Sequence, residues 1–168
     1  AFTATNTNTF TSIASTGTAC GCSTDDSYGA VALPFNFKYG ENLYLAGTNI
    51  YVVSNGYITL DGNTIGANPT PTSTTISFIS PLGHDLNPAS TYYSGTKTLV
   101  YDTSGTAPNR VMTIEWNNVP SYYTPYNLYN FQVKLHETTN IIEFCYGHFT
   151  MNTSKTPYVL LSDHNNSQ

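Results

Sequence analysis

An all-β fold, a jelly-roll-like antiparallel sandwich of two sheets with about ten short strands, is predicted by three features of the sequence. Apolar and polar residues alternate in several runs: Val111, Thr113 and Glu115 interleave with Met112, Ile114 and Trp116, and Phe131, Val133 and Leu135 with Gln132, Lys134 and His136. That is the period of a pleated strand with two unlike faces. Turn residues punctuate the chain at short intervals, and no segment carries a 3.6-residue apolar period. Internal repeats are absent.

Residues 1–13 alternate Phe and Thr with small polar residues and predict an extended edge strand anchored by Phe2 and Phe10. The Gly, Ser and Asp content of the following segment, through Asp25 and Asp26, predicts a loop. Residues 31–37 read as a strand that Pro34 marks as an edge or a bulge, and residues 38–42 as a turn. Residues 48–54 and 57–61 flank Ser54-Asn55-Gly56, and Asn-Gly is a strong hairpin signal because both residues tolerate positive φ. Residues 62–75 read as a long surface loop, residues 76–79 as a short buried strand, and Pro81 to Pro88 as a further loop. Strands follow at 96–102, 109–117, 129–136, 141–147 and 157–161. The hairpin of 129–136 with 141–147 turns through Glu137-Thr138-Thr139-Asn140, where Asn140 is suited to positive φ.

At 168 residues the chain is expected to form one domain over 1–168, whether whole or as a fragment or subunit of a larger protein. Only 9% of residues are charged, against about 25% in ordinary soluble domains. Solubility then rests on hydroxyls and amides, as is common outside cells. A net charge of −5 with five Lys and Arg argues against a nucleic-acid partner, which needs clustered cations. Neither a run near 18 apolar residues nor a basic amphipathic stretch is present, so no membrane insertion is expected. The start at Ala1, without Met or a signal region, fits a processed product or a fragment.

The run Ala107-Pro108-Asn109-Arg110-Val111, Glu115-Trp116, and Asn130 through Gly147 resembles a β-sandwich domain of large secreted and cell-surface Bacteroidetes proteins. Thr24-Asp25-Asp26, Pro34 to Gly40, Val53 to Tyr57 and Ile79 to Leu86 also match, and the order of these pieces is more distantly similar to the nidogen-type extracellular domain. The likeness covers roughly residues 2 to 162. It implies an extracellular or cell-surface sandwich and carries no shared catalytic residues. Relatives tend to have two consecutive acids where His84-Asp85 stands, so one carboxylate is missing here.

Asp85 with Asp25 and Asp26 is the candidate oxygen-ligand set for a structural Ca²⁺; no other cofactor is expected. The competing role for these carboxylates is to accept hydrogen bonds from loop N–H groups. Tyr122, Tyr123, Tyr126 and Tyr129, with Tyr92 and Tyr93, form a candidate platform for a sugar or a protein, since tyrosine offers a flat apolar face and a polar tip. Alternatively they cover a sheet face or fill space beneath a loop. Cys20 or Cys22 is the candidate disulfide partner of Cys145, closing more than a hundred residues and contributing about 4 kcal/mol if unstrained; otherwise Cys145 is a small buried hydrophobe.

Glu115, with Glu137 and Glu143 on the adjacent hairpin, offers a glycosidase only paired acids on outward strand positions. Cys-Gly-Cys and histidines 84, 136, 148 and 164 lack zinc spacing, and no nucleophile-elbow, zincin or phosphate-loop motif occurs. The chain is therefore not expected to be an enzyme. Asn152-Thr153-Ser154 and Asn165-Asn166-Ser167 match the glycosylation sequon, expected to go unused in a bacterial product. The leading expectation is a non-catalytic structural or adhesive module whose partners are protein, itself or neighbouring domains, or an extracellular glycan. Assembly into filaments would use residues 1–13 as an added strand. A carbohydrate-binding module using the tyrosines is the alternative.

Overall fold

The structure, a computed structural model, describes residues 10–61, 76–150 and 157–164. Phe2, the predicted loop 62–75 and both sequons lie outside the described residues. Among those described, the chain forms twelve strands and no helix. One five-stranded sheet has the order β1 (Thr18–Ala19), β8 (Thr98–Ser104), β9 (Val111–Pro120), β10 (Leu128–His136), β11 (Ile142–Tyr146). The second has the order β12 (Tyr158–Ser162), β7 (Phe78–Gly83), β6 (Tyr57–Thr59), β5 (Asn49–Val53), β2 (Tyr28–Ala32). A ribbon of β3 (Phe37–Tyr39) and β4 (Asn42–Tyr44) completes the set. Every pairing is antiparallel. The predicted sandwich is thus present, wound largely as meanders: β5 to β7 and β8 to β11 each sit beside their sequence neighbours.

The alternation read in the sequence becomes the two faces of the first sheet. Met112, Ile114 and Trp116 of β9 and Tyr129, Phe131, Val133 and Leu135 of β10 are buried in one core with Ile50, Val52, Ile58 and Ile79 of the second sheet. Each fully buried Val, Leu, Ile or Phe contributes about 1.5–3 kcal/mol. Trp116 stacks on Phe131, with ring centroids 4.9 Å apart and planes 11° from parallel. Its indole N–H donates to the Val53 carbonyl across the sandwich at 3.0 Å, so the one polar atom of a fully buried ring is paired.

Several expectations are corrected in detail. Pro34 splits the predicted strand 31–37 into β2 and β3. Thr18–Ala19, predicted as loop, is a short strand, and the predicted turn 38–42 is flanked by two, its ends belonging to Phe37–Tyr39 and Asn42–Tyr44. Strand β7 runs on through Pro81 to Gly83 instead of ending at 79. Pro81 is tolerated because it falls at the register shift between Tyr158 and Leu160, where no ladder partner is recorded for it. At the Ser54-Asn55-Gly56 turn only Gly56 takes positive φ, at 82°. A Cβ there would meet the Leu82 carbonyl oxygen at 1.9 Å, so only glycine fits. Asn140 does adopt positive φ, 53°, and its side-chain oxygen accepts from the Lys38 N–H at 2.7 Å, joining the hairpin to β3.

Residues 10–13, expected to belong to an edge strand, carry no ladder pairing. They cross the outer face of the first sheet and are held by side chains. The Glu115 carboxylate accepts from Ser12 Oγ at 2.5 Å and from the Ile13 N–H at 2.6 Å. Gln132 donates to the same carboxylate at 2.7 Å and to the Thr11 carbonyl at 2.8 Å. Glu115 and Gln132 sit opposite each other on β9 and β10, and both are fully buried. The outward position that would otherwise suggest a solvated acid is therefore a receptor for backbone. The Phe10 ring lies against Gly147 of its own chain.

Arg110 is also engaged. Its guanidinium donates to both Glu137 oxygens at 2.6 and 2.8 Å, its backbone N–H donates to the same carboxylate at 3.0 Å, and the Glu137 N–H donates to the Arg110 carbonyl at 2.9 Å. It also lies over the Phe35 ring at 5.5 Å. This pair fastens the start of β9 to the β10–β11 turn.

Glu115→Gln replaces one acceptor oxygen with an amide that faces N–H and O–H donors. The expected cost is about 2 kcal/mol in urea unfolding, with the far-ultraviolet spectrum of the folded chain unchanged. The Arg110 guanidinium hydrogen bond is the main cause holding the Glu137 carboxyl down at about 2. A lowered folded value stabilises above the unfolded-state range, near 4.3, and that stabilisation is lost as pH falls through it toward the folded value. Glu137→Gln is expected to flatten the acid limb of the urea midpoint between about pH 5 and about pH 2.

Candidate functional site

Three loops meet at one end of the sandwich because Asn55 joins them. Its side-chain N–H₂ donates to Asp26 Oδ1 at 2.8 Å, and its side-chain oxygen accepts from the Leu86 N–H at 2.8 Å. Its backbone carbonyl accepts from the His84 N–H at 3.3 Å. Asn55 is fully buried, so each of these bonds also removes the cost of an unpaired polar atom. As a result Asp25, Asp26 and Asp85, distant in sequence, each place a carboxylate oxygen within 4.8 Å of the others.

Such crowding has an electrostatic signature. The Asp25 carboxyl is raised from its ordinary value, first by loss of solvent and then by the neighbouring Asp26 charge. One of its oxygens is buried with no hydrogen-bond partner. Three carboxylates with one unsatisfied oxygen fit the partial ligand set of a hard cation, whose remaining oxygens would come from backbone or water. The expected alternative role is also visible, but with a side chain as donor: Asp26 accepts from Asn55.

The tyrosines adjoin this corner. The Tyr122 N–H donates to the Asp85 carbonyl at 2.9 Å, and Leu86 bridges Ser121. His84 Nε2 and Ser121 Oγ lie 3.0 Å apart beneath them. Tyr122, Tyr123 and Tyr126 are 49%, 62% and 71% exposed, and Tyr92 is 69% exposed. Tyr92 meets Tyr126 edge to face at 6.1 Å, and Tyr122 meets Tyr123 at 5.2 Å. Tyr93 is half-buried, with Lys97 donating to its carbonyl at 2.7 Å and lying over its ring at 5.8 Å. Tyr129 does not belong to the surface. It faces the core from β10, fully buried, and its position two residues before Phe131 already carried that signal.

The predicted disulfide to Cys145 is overturned by the sheet order. Ala19, Val100, Glu115, Gln132 and Cys145 form one cross-strand row. Cys145 is therefore four strand spacings from the segment of Cys20, about 19 Å, beyond the reach of a disulfide. All three cysteines are buried thiols, and Cys145 donates to Glu143 Oε1 at 3.2 Å. The other two carboxylates weighed with Glu115 are committed as well: Glu137 to Arg110, and Glu143 to Lys134 and His136.

A family model described as NIDO-related matches residues 1–166. The chain belongs to the NIDO-related family. No curated protein and no solved structure matches it. A NIDO-related chain agrees with the distant nidogen-type likeness in the sequence and with an extracellular kind of module. Among the described residues no helix is long and apolar enough to cross a membrane.

A cation held by the three carboxylates of this NIDO-related domain would stabilise the fold by about 1.4 kcal/mol at ten times its Kd. Calcium chloride is expected to raise the melting temperature, and Asp85→Asn to abolish the rise. An unchanged melting curve would leave the carboxylates with hydrogen bonding alone.

Proposed function

We propose that the chain is a non-catalytic extracellular adhesive module that binds saccharide through the surface of Tyr92, Tyr122, Tyr123 and Tyr126. The observation that carries this reading is the pair of edge-to-face tyrosine contacts with all four rings largely exposed. Tyrosine faces stack on the apolar C–H faces of sugar rings, and their hydroxyls reach sugar hydroxyls, at little entropic cost because the side chain has few rotors. Rings that only filled space beneath a loop would be buried, as Tyr129 is.

The scaffold supports such a role. The tyrosine loop is fixed at both ends: Ser121 donates to the Asn127 carbonyl, Asn127 to the Thr124 carbonyl, and Tyr122 to that of Asp85. A pre-formed surface avoids an ordering cost on binding. The carboxylate corner beside it would add sugar-hydroxyl acceptors or, with calcium bound, a cation. Membership of the NIDO-related family and the likeness to Bacteroidetes surface domains support the extracellular setting.

Glycan-array screening of the full chain, followed by titration against the best ligand, tests the reading. Tyr122→Ala and Tyr126→Ala each remove a stacking face worth about 1 kcal/mol and are expected to weaken binding about five-fold, with the melting temperature nearly unchanged. Absence of binding to any glycan, or equal binding by both variants, would overturn it.

A further inference from the structure

We propose that Cys20 and Cys22 form a disulfide with each other, a covalent clasp at the point where the chain passes from one sheet to the other. Both side chains enter the same buried core. Between them Gly21 takes a φ of 82°, a bend that glycine makes at no steric cost, so only one residue separates the two buried side chains. The neighbouring Cys22 thiol, and then burial, hold Cys20 in its protonated form. Cys145 cannot compete: it lies at the opposite edge of the first sheet, on the outer face shared with Gln132.

The location gives the bond a consequence. The Cys20 N–H donates to the Leu99 carbonyl of the first sheet at 2.9 Å. On its other side the Cys20 carbonyl presses on Gly29 of the second, where a Cβ would fall 1.7 Å from the oxygen. Cys22 then leads directly to Asp25 and Asp26. A bond between the two sulfurs fixes this crossing and, through it, the approach to the carboxylate corner.

The oxidant is a small-molecule or protein disulfide of an oxidising compartment. One cysteine thiolate attacks it to give a mixed disulfide, releasing one thiol. The second cysteine then displaces the other sulfur, forming the Cys20–Cys22 bond. Two thiols of the chain are oxidised, and one external disulfide is reduced to two thiols. Attack requires thiolate and access, both of which the folded core denies, so the reaction belongs to the interval before this segment is covered. Afterwards the same burial shields the bond from reductant.

The full chain, unfolded and reduced, is refolded in a mixture of reduced and oxidised glutathione, then denatured, alkylated, cut with trypsin and weighed. Residues 1–37 contain no Lys or Arg, so Cys20 and Cys22 fall on one tryptic peptide, and Cys145 falls on another, between Lys134 and Lys155. The expected result is one alkyl group, on Cys145, and an N-terminal peptide two hydrogens lighter than its dithiol form. The oxidised chain is expected to melt about 4 °C above the reduced one, and Cys145→Ala to preserve both results. Three alkylated cysteines, a cross-link joining the two peptides, or glutathione retained on Cys20 or Cys22 would overturn the proposal.

Discussion

The turn from Val53 to Gly56 is the joint on which both the core and the candidate site depend. The Val53 carbonyl accepts from Trp116 in the opposite sheet and from the Gly56 N–H, so one backbone oxygen ties the sandwich together and closes the turn. Gly56 fits against Leu82 and the tip of Phe131 because it has no side chain. Asn55, between these two constraints, is left with a fixed backbone, and its side chain and carbonyl satisfy the loops of Asp26 and of His84 to Leu86. The surface end of the molecule is therefore built directly on the interior, with no mobile linker between them.

Scarcity of charge makes the position of each charged group informative. Glu115 seats the N-terminal segment, Glu137 and Arg110 fasten a turn, and Glu143 joins Lys134 and His136 on one strand pair. These acids all have donors. At the Asp25, Asp26 and Asp85 corner, by contrast, like charges are gathered, and the raised Asp25 carboxyl registers the unfavourable energy of that arrangement. Among the described residues, this gathering of like charge lies beside four exposed tyrosines, Tyr92, Tyr122, Tyr123 and Tyr126. That contrast sets this end apart from the rest of the surface.

Much of the sandwich was legible because β9 and β10 alternate, Met112, Ile114 and Trp116 against Thr113 and Glu115, and Phe131, Val133 and Leu135 against Gln132 and Lys134. Even Tyr129 could be assigned inward by its parity with Phe131. The two-residue β1 and three-residue β4 were not legible, since strands so short carry no period and exist through their partners. Glu115 was misleading for a related reason. An acid at an outward strand position reads as solvated until something is known to cross that face, and the covering segment lies about a hundred residues away. The cysteine pairing failed on topology: hydrophobic pattern identifies strands but not their order, and the order separates Cys145 from Cys20 and Cys22. The tyrosine surface and the three carboxylates were found by residue type, whereas Asn55, which assembles them, was read only as a turn former.

The partners of the terminal strands also impose a schedule. Thr18 of β1 pairs with Tyr101, and Ser162 of β12 with Phe78, so one edge of each sheet is closed by residues remote along the chain. Contacts of such separation form late and slowly, after local hairpins such as β10 with β11. During synthesis the segment of β1 emerges early and waits for some eighty residues before β8 exists to receive it. Throughout that wait the Cys-Gly-Cys turn stands uncovered, and the carboxylate corner has no third member until Asp85 appears. The carboxylate corner and the tyrosine loop beside it are consequently absent until Asp85 and then Tyr122 to Tyr126 have been made.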